Sequence, residues 1–527
     1  MTNTNNRTYK SYGTYTSHGL IRDLVIAGIS GVLLTLAFPF YNLWLLSGVA
    51  LVPVLLMLRS MPADTTWRRV YLLTFFFGAV WYISAVWWVG YVSVAGMLVL
   101  TLFIAALLAG TMTVAWLLVR RGIAPLIAVP ACWLVFEAIT TYLMGGFPWL
   151  LLGITWRPWL VMTQISDITG VYGVSLLIVL INGALAELAL ALMRRKPLRG
   201  ALAAVILVAV VGGAAALYGH LRLRQLEGAP ARASLRLACV QANIPSLVKH
   251  DFTKDADILR RHTALTLRAA RLYPDLIIWP ETALPGYFYE KRMVYHVMTN
   301  LVRQLNLPIL TGMARYELDR GARMPRYFNG AGIIEPDGTV RAVYDKMHLV
   351  MFGEYVPFER YLPFLSLVTP IEGSYTPGVQ PTLLVVSNRQ GMARIGPLIC
   401  FEDAFGYLGR RMTRAGADIL VNLTNDGWFR SSPEPFQHAA LAGFRAIEMR
   451  RPLIRATNSG VTLVIDRCGR VTAMLERTGR RTEINGVLFD VVHVHERMLT
   501  VYARYGDWLL LLALAVVGGC IMRSAVA

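Results

Sequence analysis

Apolar stretches of membrane-crossing length recur eight times in this chain, and they limit what it can fold into more than any other feature. They lie at roughly 21–38, 42–58, 70–89, 95–119, 123–143, 171–193, 201–219 and 506–523. A helix crossing a bilayer needs about 20 predominantly apolar residues, because hydrocarbon tolerates only a backbone that satisfies its own hydrogen bonds. Seven stretches precede a long region of ordinary composition, and one follows it. The 527 residues are 55% hydrophobic and 16% charged, whereas soluble domains lie nearer ~45–50% and ~25%. The chain therefore reads as a multi-span α-helical membrane protein with eight transmembrane helices and a water-soluble part. The expected division is a polar tail over 1–18, a seven-helix membrane domain over 19–219, a linker over 220–233, a soluble domain over 234–498 and the eighth span over 506–523. The tail has no short apolar core followed by a small-residue cleavage site, so it does not resemble a signal peptide.

Positive charge alternates from one connection to the next. With the N-terminus in the cytoplasm, the inside segments carry Arg7, Lys10 and Arg22; Arg59, Arg68 and Arg69; Arg120 and Arg121; Arg194, Arg195, Lys196 and Arg199; and Arg523. The outside connections near 39–41 and 90–94 carry no Lys or Arg, and 144–170 carries only Arg157. Lys and Arg accumulate on the cytoplasmic side, so both termini are expected there and the soluble domain outside. In a bacterium with two membranes that places a multi-pass protein in the inner membrane with its soluble domain in the periplasm. The net charge of +19 suits anionic headgroups. Basic residues scattered or gathered at helix ends, without a recognition motif, argue against nucleic acid.

Segment 144–170 is apolar for an aqueous connection and contains Trp149, Trp156 and Trp159. These fit an interfacial aromatic belt; the sharper alternative is a lipid-binding wall beneath the soluble domain. Glu137 and Glu187 fall within spans, where a carboxylate is costly and faces protein or water. Each is expected to serve helix packing, with substrate contact as the alternative.

The soluble region alternates short apolar runs with amphipathic stretches, as in a mixed α/β domain of stacked sheet and helix layers. Strands are expected at Leu235–Gln241, Leu276–Trp279, Ile309–Thr311, Ala331–Ile334, Ile395–Cys400, Ile419–Leu423 and Val461–Ile465, with helices at Asp255–Leu272 and Pro435–Arg450. The run from Asp275 to Glu281 has an echo from Asp418 to Asp426, pointing to pseudo-symmetric halves.

Three of these runs each end in one ionisable residue: Trp279-Pro280-Glu281, Tyr344-Asp345-Lys346 and Leu398-Ile399-Cys400. A carboxylate base, a cation and a thiol are the parts needed for acyl transfer through a thioester. The thiolate is the nucleophile, and a free thiol with a pKa near ~8.5 is mostly protonated at neutral pH. Cys400 thus needs Glu281 as base, with Lys346 favouring the thiolate and then the oxyanion. Main-chain N–H groups just after Cys400 are candidate further donors. Glu354 and Glu402 are expected to orient Lys346 and balance its charge. Cys132, Cys239, Cys468 and Cys520 show neither a CxxC pair nor metal-like spacing, and the histidines form no HExxH cluster. Neither a metal nor another cofactor is expected.

The Glu281, Lys346 and Cys400 signatures resemble, in order, those of the nitrilase superfamily, which implies a four-layer αββα sandwich. Gly353-Glu354-Tyr355-Val356-Pro357, Asn422 to Phe429 and Arg455 to Gly460, together with the eight spans, are similar to the apolipoprotein N-acyltransferase family. Phe401 departs from the tyrosine that relatives often carry after the nucleophile. The resemblance implies that Cys400 takes an acyl chain from a phospholipid, with the sn-1 chain of phosphatidylethanolamine the expected donor. It then passes that chain to the α-amine of a diacylglyceryl-cysteine at a lipoprotein N-terminus. Phe401, Trp428, Phe429, Asn425, Trp149 and Leu365 are expected to line the substrate site. Residues 351–378 read as an apolar arm gating it, so that Leu365→Asp should impair acylation by phospholipid. The alternative is a membrane-tethered amidase or nitrilase that uses the same triad and releases its product to water.

Overall fold

The computed structural model describes residues 14–249, 251–318, 325–357, 359, 361, 374–389 and 391–526. Leu365 and half of the arm expected over 351–378 lie outside the described residues. Five helices among the described residues are long and apolar enough to cross a membrane: Gly19–Ala37, Val94–Arg120, Pro125–Gly145, Val171–Met193 and Arg199–Glu227. The other three expected stretches are helical but shorter or less apolar. Trp44–Ser60 is divided into a 3-10 turn, Trp44–Gly48, and a helix, Val52–Ser60, with Pro53 in its first turn. Trp67–Ala85 opens on Arg68 and Arg69, and Trp508–Ser524 is short.

The chain forms two compact units, one from residues 1–136, 176–211 and 512–527, the other from 137–175 and 212–511. The boundary differs from the expected one on both sides of residue 176. Segment 137–175 packs with the soluble part. Helix Arg199–Glu227 runs past the expected linker start at 220, because Leu223 and Leu226 pack against Cys468. Gly228 and Pro230 then end it, leaving only 228–232 as connection.

The first unit packs through small and polar residues, as helices do where lipid removes the hydrophobic drive. Thr35 and Ser84 hydroxyls meet at 2.6 Å, and a Cβ on Gly78 would touch the Ala105 backbone at 3.1 Å. Asn182 accepts from the Leu51 N–H and donates to the Ser47 carbonyl. Glu187 pairs with Arg59 at 2.9 Å, the packing role expected of it.

The second unit contains two six-stranded sheets. The first has the order β12-β1-β2-β3-β4-β5, with β1 Ala233–Gln241, β2 Leu276–Ile278, β3 Ile309–Glu317, β4 Arg326–Ile334, β5 Val340–Asp345 and β12 Gly486–Val494. The second has the order β11-β10-β9-β8-β7-β6, with β6 Leu384–Asn388, β7 Gly391–Ile399, β8 Ile419–Thr424, β9 Leu453–Thr457, β10 Leu463–Ile465 and β11 Val471–Met474. In each sheet three neighbouring strands run parallel, β1-β2-β3 and β7-β8-β9. Helices Asp255–Ala270 and Arg292–Leu305 close the core over the first sheet, and Gly406–Arg414 and Glu434–Met449 pack on β7 and β9.

The echo in the sequence has a structural counterpart. Asp275 and Asp418 open the middle strands, β2 and β8. Each donates its N–H to the carbonyl of an arginine on the neighbouring strand, Arg236 or Arg394, and accepts that arginine's N–H on its carboxylate. Five strands escaped the sequence reading: β5, β6, β9, β11 and β12. They are edge or short strands, half-exposed or flanked by charge, so their apolar alternation is weak.

Candidate active site

The three candidate residues follow the C-terminal ends of β2, β5 and β7, the edge at which parallel sheets present ligand-binding loops. Past β2, Trp279 is pinned by Nε1 to Thr266 Oγ1 at 2.9 Å and by its N–H to the Leu310 carbonyl. Pro280 accepts from the Gly312 N–H, and Glu281 follows. Gly312 must be glycine here: a Cβ would lie 2.6 Å from Thr282 N and 2.7 Å from Glu281 Cα. Lys346 follows β5 and donates its N–H to the Asn329 carbonyl at 2.8 Å. Cys400 follows β7 and opens a 3-10 turn, Cys400–Ala404. Its φ of +51° is the left-handed region, which costs a non-glycine residue roughly 1–3 kcal/mol and is found where surrounding contacts impose it.

Lys346 is 1% exposed, with Nζ 2.8 Å from Glu354 Oε2 and 3.9 Å from Glu281 Oε1. Asn329 Nδ2 donates to both carboxylates, at 2.8 Å to Glu281 and 2.9 Å to Glu354. Glu354 also accepts from the Val350 N–H. One buried ammonium and one amide therefore hold two carboxylates apart. Lys249 supports the same corner, donating Nζ to the main-chain carbonyls of Glu281 and Thr282. Burial pushes Lys249 down to about 8.

Burial raises Glu281 above the ordinary carboxylate range; Lys346 opposes the rise and Glu354 adds to it. Burial alone would depress Lys346, but Glu354, Glu281 and the thiol hold it above its usual value. Burial and Glu281 push the Cys400 thiol up to about 12, against the pull of Lys346 and His438. The resting proton is thus on sulfur and the ammonium is fully charged. A thiol beside a base of raised basicity is an arrangement suited to general-base activation, in which the base takes the proton as sulfur attacks.

Glu402 shares the expected charge balance, since Lys346 favours its ionised form, but does not orient the ammonium. It makes no hydrogen bond to Lys346. Its carboxylate accepts from the N–H groups of Ile399, Met347 and His348 and from the Tyr344 hydroxyl, all within 3.0 Å. It therefore ties the backbone beside Cys400 to the backbone beside Lys346. Burial raises its carboxyl to about 7, with those donors opposing the rise.

Trp149 is 3% exposed, so it belongs to no interfacial belt. Its ring stacks on Phe401 at 5.8 Å and neighbours His438 at 5.1 Å, while Nε1 donates to Gln437 Oε1 at 2.7 Å. Phe147 stacks on Trp149, and Phe405 meets Phe401 edge-on. Trp156 is also buried, and Trp159 is 40% exposed. Glu137 is a packing residue, accepting from the Leu152 N–H at 2.8 Å. Asn425, Trp428 and Phe429 form the turn after β8. Asn425 Oδ1 accepts from Gly427 N and Asn458 Nδ2, and Trp428 is 42% exposed. Asn425 thus shapes the turn.

Asp426, Glu434 and His438 have ligand-type atoms within 4.8 Å of one another. Arg455 already neutralises this cluster, with Nη2 2.7 Å from Asp426 and 2.8 Å from His438 Nδ1. A cation does not fit beside that guanidinium. Asn329, Lys249, Asn422 and His438 were missed in the sequence. Each lies well along the chain from the residue it serves, and, apart from Asn422 in the run 422–429, none belongs to a recognisable local pattern.

Two family models match the chain. The apolipoprotein N-acyltransferase N-terminal domain covers residues 30–184, and carbon-nitrogen hydrolase covers residues 236–487. The apolipoprotein N-acyltransferase of Geobacter metallireducens is 35% identical over 519 residues, covering 96% of this chain and 95% of its own length. That of Allorhizobium ampelinum is 31% identical over 477 residues, covering 86% of this chain and 85% of its own. Among solved structures, an amidase from Nesterenkonia sp. is 18% identical and covers 55% of this chain and 98% of its own, with a TM-score of 0.37.

Proposed function

This chain belongs to the apolipoprotein N-acyltransferase family, and on that premise we propose that Glu281, Lys346 and Cys400 carry its acyl transfer through a thioester. The buried Lys346 ammonium between Glu281 and Glu354, at the strand ends that also deliver Cys400, is the observation that carries this reading. In the first half-reaction Cys400 Sγ attacks an ester carbonyl of a membrane phospholipid while Glu281 takes the thiol proton. Lys346 and the N–H groups after Cys400 stabilise the oxyanion. The carbon–oxygen bond then breaks, and Glu281 returns the proton to the departing lysophospholipid. In the second, the α-amine of a lipoprotein's diacylglyceryl-cysteine attacks the thioester. Glu281 takes the amine proton, the carbon–sulfur bond breaks, and the proton returns to sulfur. No metal or other cofactor takes part. The kinetics are ping-pong.

Finer points belong to the same reading. The donor is phosphatidylethanolamine, acylated at sn-1. The two sheets form the inner layers of an αββα sandwich, and eight helices cross the inner membrane with both termini cytoplasmic and the catalytic domain periplasmic. The aromatic wall of Phe147, Trp149 and Phe401 favours an acyl chain over a small polar amide. An amidase reading has no use for the matched N-terminal domain.

The test is intact-mass measurement of purified protein incubated with phosphatidylethanolamine. An acyl-sized increment, removed by neutral hydroxylamine and absent in Cys400→Ala, is expected. A folded protein that acquires no adduct from any phospholipid would refute the thioester.

A further inference from the structure

The cluster beneath the nucleophile has a function that the triad alone does not explain. His438 lies on helix Glu434–Met449 and is 1% exposed. Five groups face it: the Asp403, Asp426 and Glu434 carboxylates, the Arg455 guanidinium and the Trp149 ring. On one side, Nε2 is hydrogen-bonded to the main-chain carbonyl of Cys400 at 3.3 Å, while Asp403 Oδ1 lies 2.8 Å away as an ion-pair contact that receives no hydrogen bond. On the other, Nδ1 sees Arg455 Nη2 at 2.8 Å and Asp426 Oδ1 at 3.2 Å. If Nδ1 accepts from Arg455, the ring is neutral and its proton is on Nε2. If the carboxylates hold an imidazolium, both nitrogens carry protons. Nε2–H is a donor in either state.

The Cys400 carbonyl has a second donor, Asn422 Nδ2 at 2.9 Å. Both acceptor positions of that oxygen are therefore filled, at a residue whose φ of +51° needs outside contacts to persist. In a trans peptide the C=O and the following N–H point in opposite directions. Fixing the Cys400 oxygen from behind aims the Phe401 N–H to the other side, where an oxyanion forming on a Cys400 adduct would lie.

We propose that His438, with Asn422, is a positioning residue for the nucleophile: it holds the Cys400 carbonyl and thereby sets the direction of the Phe401 N–H toward the tetrahedral intermediate. His438 does not touch the thiol or the substrate. The inference rests on the thioester reading at Cys400.

The experiment measures the single-turnover rate of acyl-adduct formation from phosphatidylethanolamine by intact mass, over a range of lipid concentrations, in the full-length protein. His438→Leu and His438→Gln are compared, since the glutamine amide can still donate to the Cys400 carbonyl. A misaimed oxyanion donor costs at most the roughly 10²–10³-fold of a deleted one. The maximal rate in the Leu variant is expected to fall by up to that factor, with half-saturation by lipid unchanged. The Gln variant is expected to recover a large part of the loss. Alkylation of Cys400 by iodoacetamide, which forms no oxyanion, is expected to change far less. If the Leu variant does not fold, His438→Asn, whose amide stops one bond short, takes its place. Equal losses in the Gln and the shorter or apolar variants, or wild-type rates in both, would overturn the assignment. A wild-type protein that forms no Cys400-dependent adduct would sink the thioester reading and this inference with it, and is told apart by that control.

Discussion

At the residue scale, the site works by setting burial against a small number of fixed charges. Glu281 must be ionised to take the thiol proton, and burial holds its carboxyl above the ordinary range. Acylation should therefore fall as pH drops through that raised value and level off above it. The Asn329 amide donates to the ionised form and so keeps the value from rising further. Asn329→Leu removes a charged hydrogen bond worth roughly 1.5–3 kcal/mol. The acid limb of the pH–rate profile is then expected to move to higher pH by about one to two units, with a loss of about tenfold or more on the acid side of the limb for a bond of that strength. A limb that stays in place, or moves down, would show that Asn329 does not act on the base. Glu402 teaches the opposite lesson. It is two residues from the nucleophile in sequence, yet its four donors make it a fastener between backbones, and Lys346 acts on it through charge without a hydrogen bond.

At the scale of elements, the site depends on close approach at strand ends. Gly312, on β3, allows the Trp279–Thr282 turn to lie against that strand, since a Cβ would sit under 3 Å from Glu281 and Thr282 backbone atoms. Gly312→Ala is expected to shift Glu281 away from Lys346. Overpacking of this kind costs typically ~1–3 kcal/mol, so most of the protein should remain folded while the adduct forms far more slowly. Thermal unfolding and adduct kinetics on the same preparation check this, and a wild-type rate in the alanine variant would contradict it. The pairing of Asp275 with Arg236 and of Asp418 with Arg394 shows the same device at the start of β2 and β8. An aspartate at the mouth of a parallel strand engages its neighbour's backbone and fixes the register. That register carries Glu281 and the turn after β8 to the same edge.

At the scale of the whole molecule, the catalytic unit is discontinuous in sequence. Segment 137–175 supplies Trp149 to the aromatic wall. It also supplies Asp167 and Gln164 to the buried Arg450, at 2.8 Å and 2.7 Å. A fragment covering only 234–498 would strip that guanidinium of its carboxylate and of its Gln164 acceptors, and would expose the face of Phe401. Such a fragment is expected to be poorly folded and to form no hydroxylamine-sensitive adduct. Circular dichroism and intact mass after incubation with lipid test this; a well-folded, acylated fragment would show that segment 137–175 is dispensable.

Much of this protein is set by its sequence because the governing interactions are local. Five of the eight apolar stretches form helices long and apolar enough to cross a membrane, a property of length and composition alone. The runs ending in Glu281 and Cys400 specify strands with a reactive residue close to the tip, because strand and turn propensities act over a few residues. Tertiary structure decided which groups surround those tips. Asn329, Lys249 and His438 reach the site by folding, and their sequence neighbours give no sign of it; Asn422 lies in a motif-like run, but only folding brings it to the Cys400 carbonyl. The same holds for Trp149, where an interfacial belt and a catalytic wall have the same local composition. Only packing against Phe401 and His438 distinguishes them, since burial and hydrogen bonding depend on which distant segments meet.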